Sequence, residues 1–137
     1  RRYQGYYMAM TTAGLSVEDK WVINCNWDED LCAVQVDNLC KSGDYPTAFF
    51  AGSDLIAMIT MNSFYNNGIS VPQDVAVMGL SDIEMSKYSN PPLTTIHVPT
   101  EEMGIVATDM LLSRINGNNL LPQTILLPTK LVARDSV

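Results

Sequence analysis

The residues of this 137-residue chain that could do chemistry are one histidine, three cysteines, several adjacent acids, two tryptophans and a Ser-Asp step that occurs twice. Catalytic patterns are sparse among them. A histidine base needs a nucleophile or a reacting proton within hydrogen-bond reach. His97 stands two residues before Pro99, where a hydrogen-bonding role in a loop or hinge is the simpler reading. Cys25, Cys32 and Cys40 are seven and eight residues apart, unlike the close pairs that hold zinc. Small buried hydrophobes with free thiols fit them better. Asp28-Glu29 and Glu101-Glu102 could be a glycosidase-type acid pair. Each also opens a helical pattern, where acids meet the positive end of the helix dipole. Gly52-Ser53-Asp54 lacks the second glycine of a nucleophile elbow, and neither a phosphate-binding loop nor a dinucleotide fingerprint occurs. The reading is a non-enzyme with no metal and no cofactor.

Binding residues are easier to name. Trp27 either packs on a core or offers a flat platform, on which the C–H face of a sugar stacks while its hydroxyls meet polar groups. Arg2 begins the first helical pattern, where its fork is either solvated or aimed at ligand oxygens. The two Ser-Asp steps, Ser53-Asp54 and Ser81-Asp82, each follow a strongly apolar run.

These residues need elements to hold them. Tyr6, Ala9, Met10 and Ala13 give a helical stripe over 2–13, with Gly14 as its stop. Residues 21–25 read as a short strand. Residues 28–42 read as a helix with Cys32, Val36, Leu39 and Cys40 on one face and Gly43 at its end. Residues 47–51 form a buried strand, and Ser53 caps a helix over 54–67. That helix is apolar almost all round, so it should be covered on two sides, by the sheet and by a partner subunit. Residues 75–80 are apolar on both alternating faces, as parallel strands are. Pro91-Pro92 is a stiff exit that leads into an extended run over 94–98. Pro99 starts a helix to residue 116, ended by Gly117-Asn118-Asn119, and two terminal strands follow at 123–127 and 130–134.

Strands alternating with helices predict an α/β fold, with a mostly parallel sheet and helices on both faces. Ligands bind such sheets just beyond the carboxyl ends of the strands. That rule gathers Asn26-Trp27-Asp28, Gly52-Ser53-Asp54 and Ser81-Asp82 on one rim.

Composition narrows the partners. The chain is 47% hydrophobic, enough for one domain with a core. A net charge of −7 with eight Lys and Arg leaves no basic patch for DNA phosphates. An odd cysteine count fits a reducing cytoplasm better than an oxidised scaffold. There is no apolar run long enough to span a membrane and no signal peptide pattern.

Four stretches carry a resemblance: RYQGYYMAM, YPTAFFAGSDLIAM, NNGISVPQDVAVMGLSDIEMSKYSNPPLTTIHVPTEEMG and LPTKLVARDSV. Together they resemble the effector-binding region of LacI/GalR-type transcriptional regulators, which is similar to type I periplasmic sugar-binding proteins. The resemblance implies a periplasmic binding protein-like lobe, sensing a sugar or sugar-like metabolite and passing that signal to an N-terminal helix-turn-helix. It implies that residues 1–137 are the carboxy-terminal part of the effector-binding domain, without the DNA-binding head or most of the first lobe. The helix over 99–116 would belong to that other lobe. By position, Arg2 matches an arginine that contacts effector, and Trp27 matches the aromatic that stacks on it. Ser53 and Ser81 stand where the family commonly has Asn and Asp. Asp54 and Asp82 match acids that brace the neighbouring loops. The family also implies a homodimer, here through Ile56, Ile59 and Tyr88. Operator DNA would be met only through the missing head. A periplasmic-type transport receptor is the alternative on the same fold.

Overall fold

The structure is a computed structural model, described here for residues 1–118 and 121–137. Asn119, placed by the sequence in the turn after the last helix, lies outside the described residues. In chain order the elements are α1 (Arg2–Thr12), α2 (Glu29–Ser42), β1 (Ala48–Phe50), α3 (Asp54–Asn66), β2 (Ala76–Met78), β3 (Thr95–His97), α4 (Thr100–Ile115) and β4 (Lys130–Val132).

Local chemistry sets the helix limits. Asp28 caps α2, its carboxylate accepting from Leu31 N at 2.9 Å. Gly43 ends that helix at φ 71°, a left-handed conformation that glycine adopts without steric cost. Ser53 caps α3, its hydroxyl oxygen accepting from Ile56 N at 3.3 Å. α2 buries Cys32, Val36 and Cys40, and α3 buries Ala57, Met61 and Phe64. Together with Ala51, Val75, Val77 and Leu93 these side chains make one core, with Phe49 edge-on to Phe64 at 5.2 Å between ring centroids.

β1 and β2 pair in parallel, Phe49 opposite Val77. On its other side β2 meets the stretch after Pro92, through parallel bridges Met78–Thr94 and Ser81–His97. β3 pairs antiparallel with β4, Ile96 opposite Leu131. Ser136 closes the second edge of β2: Val77 N donates to its carbonyl at 2.8 Å, and its buried hydroxyl donates to Val77 O at 2.7 Å. The architecture is thus α/β, as the alternation of elements predicts, with one parallel and one antiparallel strand pair.

Two sequence-based strands do not form. At residues 21–25 the chain instead makes a 3-10 turn over Asp19–Trp21, followed by an extended stretch in which Ile23 and Cys25 pack inward. Residues 123–127 are irregular. Both stretches have strand-like residues but no ladder of backbone hydrogen bonds, and a strand exists only through its partner. α1 and α4 carry apolar side chains yet bury no residue.

Candidate functional site

The parallel pairing sends the chain out of β1 and β2 at the same end, so residues 51–53 and 79–82 leave side by side. Asp54 N donates to Leu80 O at 3.1 Å and ties the two loops together. A third stretch, residues 25–28, turns beside them, closed by Asp28 N on Cys25 O at 2.8 Å.

Arg2, Trp27 and Gly52 meet on this rim. Arg2 Nη1 donates to Gly52 O, and the guanidinium carbon lies 5.3 Å from the centroid of the Trp27 ring. A cation over an indole at that distance is held by the ring's quadrupole. Gly52 has a packing role here: a Cβ on it would stand 3.4 Å from the edge of the indole. Trp27 is 63% exposed, so its indole lies on the surface and not in the core. Ser53 follows directly, with its oxygen used as the α3 cap. Ser81 leaves β2 one residue beyond Leu80, its N–H donating to Ile96 O at 2.9 Å.

The backbone is strained at this rim. Among the described residues the non-glycine positions with positive φ are Asn26 (49°), Trp27 (65°), Ser81 (138°) and Asp82 (56°). Such conformations cost of order 1–3 kcal/mol each and persist where surrounding structure imposes them. All four fall in the two loops that present the rim side chains.

One buried and one half-buried acid impose the shape of the second loop. Asp54 is fully buried. Its Oδ2 accepts from Ile83 N at 2.8 Å and Ser86 Oγ at 2.7 Å, and its Oδ1 accepts from Thr95 Oγ1. Asp82 accepts from Arg134 Nη2 at 2.6 Å and lies 3.1 Å from His97 Nδ1. Burial pushes the Asp82 carboxyl up, but the hydrogen bonds and charges of Arg134 and His97 outweigh it and hold its pKa below the usual value. Gly79 is required between them, since a Cβ there would fall on Asp54 Oδ1 and 2.9 Å from Leu93 Cδ2.

The structure therefore joins Arg2 and Trp27 by direct contact, places Ser53 beside Gly52, and brings Ser81 to the same edge through the backbone. Ile56, Ile59 and Tyr88 lie elsewhere. The two isoleucines are half-buried against the core, and Tyr88 follows a 3-10 turn over Glu84–Lys87 and is exposed. Sequence reasoning missed Arg134, Thr95, Ser86 and Gly79. An arginine set directly after the apolar Leu131-Val132-Ala133 was a usable signal for Arg134; the others look ordinary in the sequence.

Two open clefts flank α4, of about 440 and 340 Å³. Neither touches the rim, and both run along a helix with no buried residue. The fixed cation and platform make the rim the stronger candidate. Among the described residues no cluster of His, Cys, Asp and Glu could hold a metal ion, and no helix is long and apolar enough to cross a membrane.

Residues 1–137 match the model of the periplasmic binding protein-like domain. The chain is 35% identical over 136 residues to the HTH-type transcriptional repressor PurR of Vibrio campbellii, covering 99% of this chain and 41% of that protein. It is 34% identical over 136 residues to the ribose operon repressor of Haemophilus influenzae, with the same coverage. Among solved structures it superposes on a transcriptional regulator CelR–cellobiose complex with a TM-score of 0.92 at 32% identity, covering 99% of this chain and 42% of that one. The chain thus spans about two-fifths of the length of the curated relatives it matches. By the family model, the chain belongs to the periplasmic binding protein-like domain family, and the proteins it is similar to are transcriptional repressors and regulators.

Proposed function

We propose that this chain is the effector-sensing and dimerisation part of a LacI-type repressor that binds a sugar or related small metabolite at the rim of β1 and β2. The observation that carries this reading is the Arg2 guanidinium held on the exposed Trp27 indole over Gly52, beside Ser53 and Ser81. Two relatives are named for sugars, as a ribose operon repressor and a cellobiose complex, which supports a carbohydrate-sized ligand here. In this reading Asp54 and Asp82 brace the loops rather than touch ligand. The α4 helix, within 99–116, packs on a second lobe supplied by a longer protein, consistent with the exposed Met103, Ile105, Leu111 and Leu112. Ligand bridging two lobes shifts the balance between two lobe arrangements, and an N-terminal helix-turn-helix in the same cytoplasmic protein reads that shift on operator DNA.

The test is a fluorescence titration against a metabolite panel. A Trp21→Phe background leaves Trp27 as the sole indole. Ligand binding should change its emission saturably, and Arg2→Ala should weaken the response at least tenfold. Silence against every sugar, sugar derivative and nucleobase in the panel overturns the reading.

A further inference from the structure

The hydrogen-bonding inventory of the rim is lopsided. Arg2 brings five N–H donors and no acceptor. Only Gly52 O takes a bond from it, and among the described residues no carboxylate lies within 4.0 Å of it. In a chain of net charge −7 it is a fixed, exposed cation without a counter-ion. Two of the rim acids are occupied, both oxygens of Asp54 within the core and Asp82 by Arg134 and His97, while exposed Asp28 accepts from Leu31 N through Oδ1 alone. Ser53 accepts from Ile56 N, so its hydroxyl proton is left to donate outward. Ser81 adds one more hydroxyl.

We infer that the effector carries an anionic group, a phosphate or a carboxylate on a sugar-sized ring, and that the Arg2 guanidinium selects it. The inference rests on the rim being the effector site. A neutral sugar is rich in hydroxyl protons and needs acceptors, which carboxylates supply two at a time. On this rim Asp28 Oδ2 is the one carboxylate oxygen to spare, against the donors of Arg2 and two serine hydroxyls. An oxyanion is all acceptor, and a planar guanidinium meets phosphate or carboxylate through paired N–H bonds. The indole serves the other half of such a ligand, stacking on the C–H face of the ring. Arg2 is already parked on Trp27, so little side-chain freedom is lost when the anion arrives.

The experiment is calorimetric titration of the protein with hexose and pentose phosphates, the matching sugar acids, their neutral parents and inorganic phosphate. A sugar phosphate or sugar acid should bind at least tenfold tighter than its neutral parent, and added salt should shrink that margin. Which anionic arm is tighter identifies the source of the charge. Arg2→Gln should erase the preference, and Arg2→Lys should restore part of it. Ser81→Asp should tilt selection back toward neutral sugars. A neutral sugar that binds as tightly as its phosphate and acid overturns this inference while leaving the effector site intact. Binding by none of the probes removes the site and the inference together. Inorganic phosphate as tight as any sugar phosphate overturns the sugar-sized ring.

Discussion

Arg134 Nη2 lies 2.6 Å from Asp82 Oδ1, joining two half-buried residues 52 positions apart. The same guanidinium donates through Nη1 to Leu93 O at 2.6 Å. One side chain therefore fixes the loop after β2 against the stretch that follows Pro92. Because Asp82 has a lowered pKa in the fold, its pairing stabilises above the unfolded carboxyl value, near 3.9. That stability is lost as pH falls through the lower folded value. Asp82→Asn should cost about 1–3 kcal/mol at pH 7. The wild-type and variant curves should converge at strongly acid pH, as read by urea titrations across pH. Arg134→Ala should cost more, because Leu93 O loses its donor too.

Gly79→Ala should destabilise by about 1–3 kcal/mol or more, since the added methyl meets a buried carboxylate and Leu93 with no room to move. Gly5→Ala is the control. Its Cβ meets nothing within 4 Å, so the denaturation midpoint should stay level or rise. A Gly79→Ala midpoint equal to wild type would contradict the close approach.

Cys32 should be inert in the folded protein. Burial, with the Cys25 thiol beside it, pushes its pKa up to about 11. At pH 8 the thiolate fraction is then roughly a hundredfold below that of a thiol titrating near 9. Burial and the charge of Asp37 also raise Cys40. Peptide mapping after brief iodoacetamide treatment should find both unmodified, and urea above the midpoint should expose them. Rapid alkylation of Cys32 without denaturant would show that α2 opens readily.

The proposed dimer should reach through Tyr88, 77% exposed, and the outer edges of Ile56 and Ile59. Sedimentation near 100 µM, above the micromolar dissociation constant of a modest interface, should show a dimer. Tyr88→Asp should shift it to monomer without loss of helix content. A wild-type monomer at that concentration removes the proposal.

The sequence made some of this fold legible and hid the rest for definite reasons. α3 was readable because Ser53, an apolar run and Gly68 bracket it. β2 was readable because both of its faces are apolar. Residues 21–25 and 123–127 misled because side-chain type records a preference, whereas a strand also needs a neighbour. At the rim, Trp27 and Arg2 were conspicuous as types. The left-handed turn that lifts Trp27 outward was not, since no glycine marks residues 26–27. The bracing of Asp54 depends on Ser86 and Thr95, which lie 32 and 41 positions away and carry no local signal.

Ser136 has a consequence for biosynthesis. It follows Val77 by 59 residues, and at about 5–20 residues per second a ribosome takes roughly 3–12 seconds to add them. Until then the Val77 N–H and C=O on that edge of β2 lack their Ser136 partners, even after residues 94–97 have paired beside them, and they leave a short template for strand addition by another nascent chain. Slower initiation, lower temperature or a holding chaperone should therefore raise the yield of soluble product more than any change at the rim.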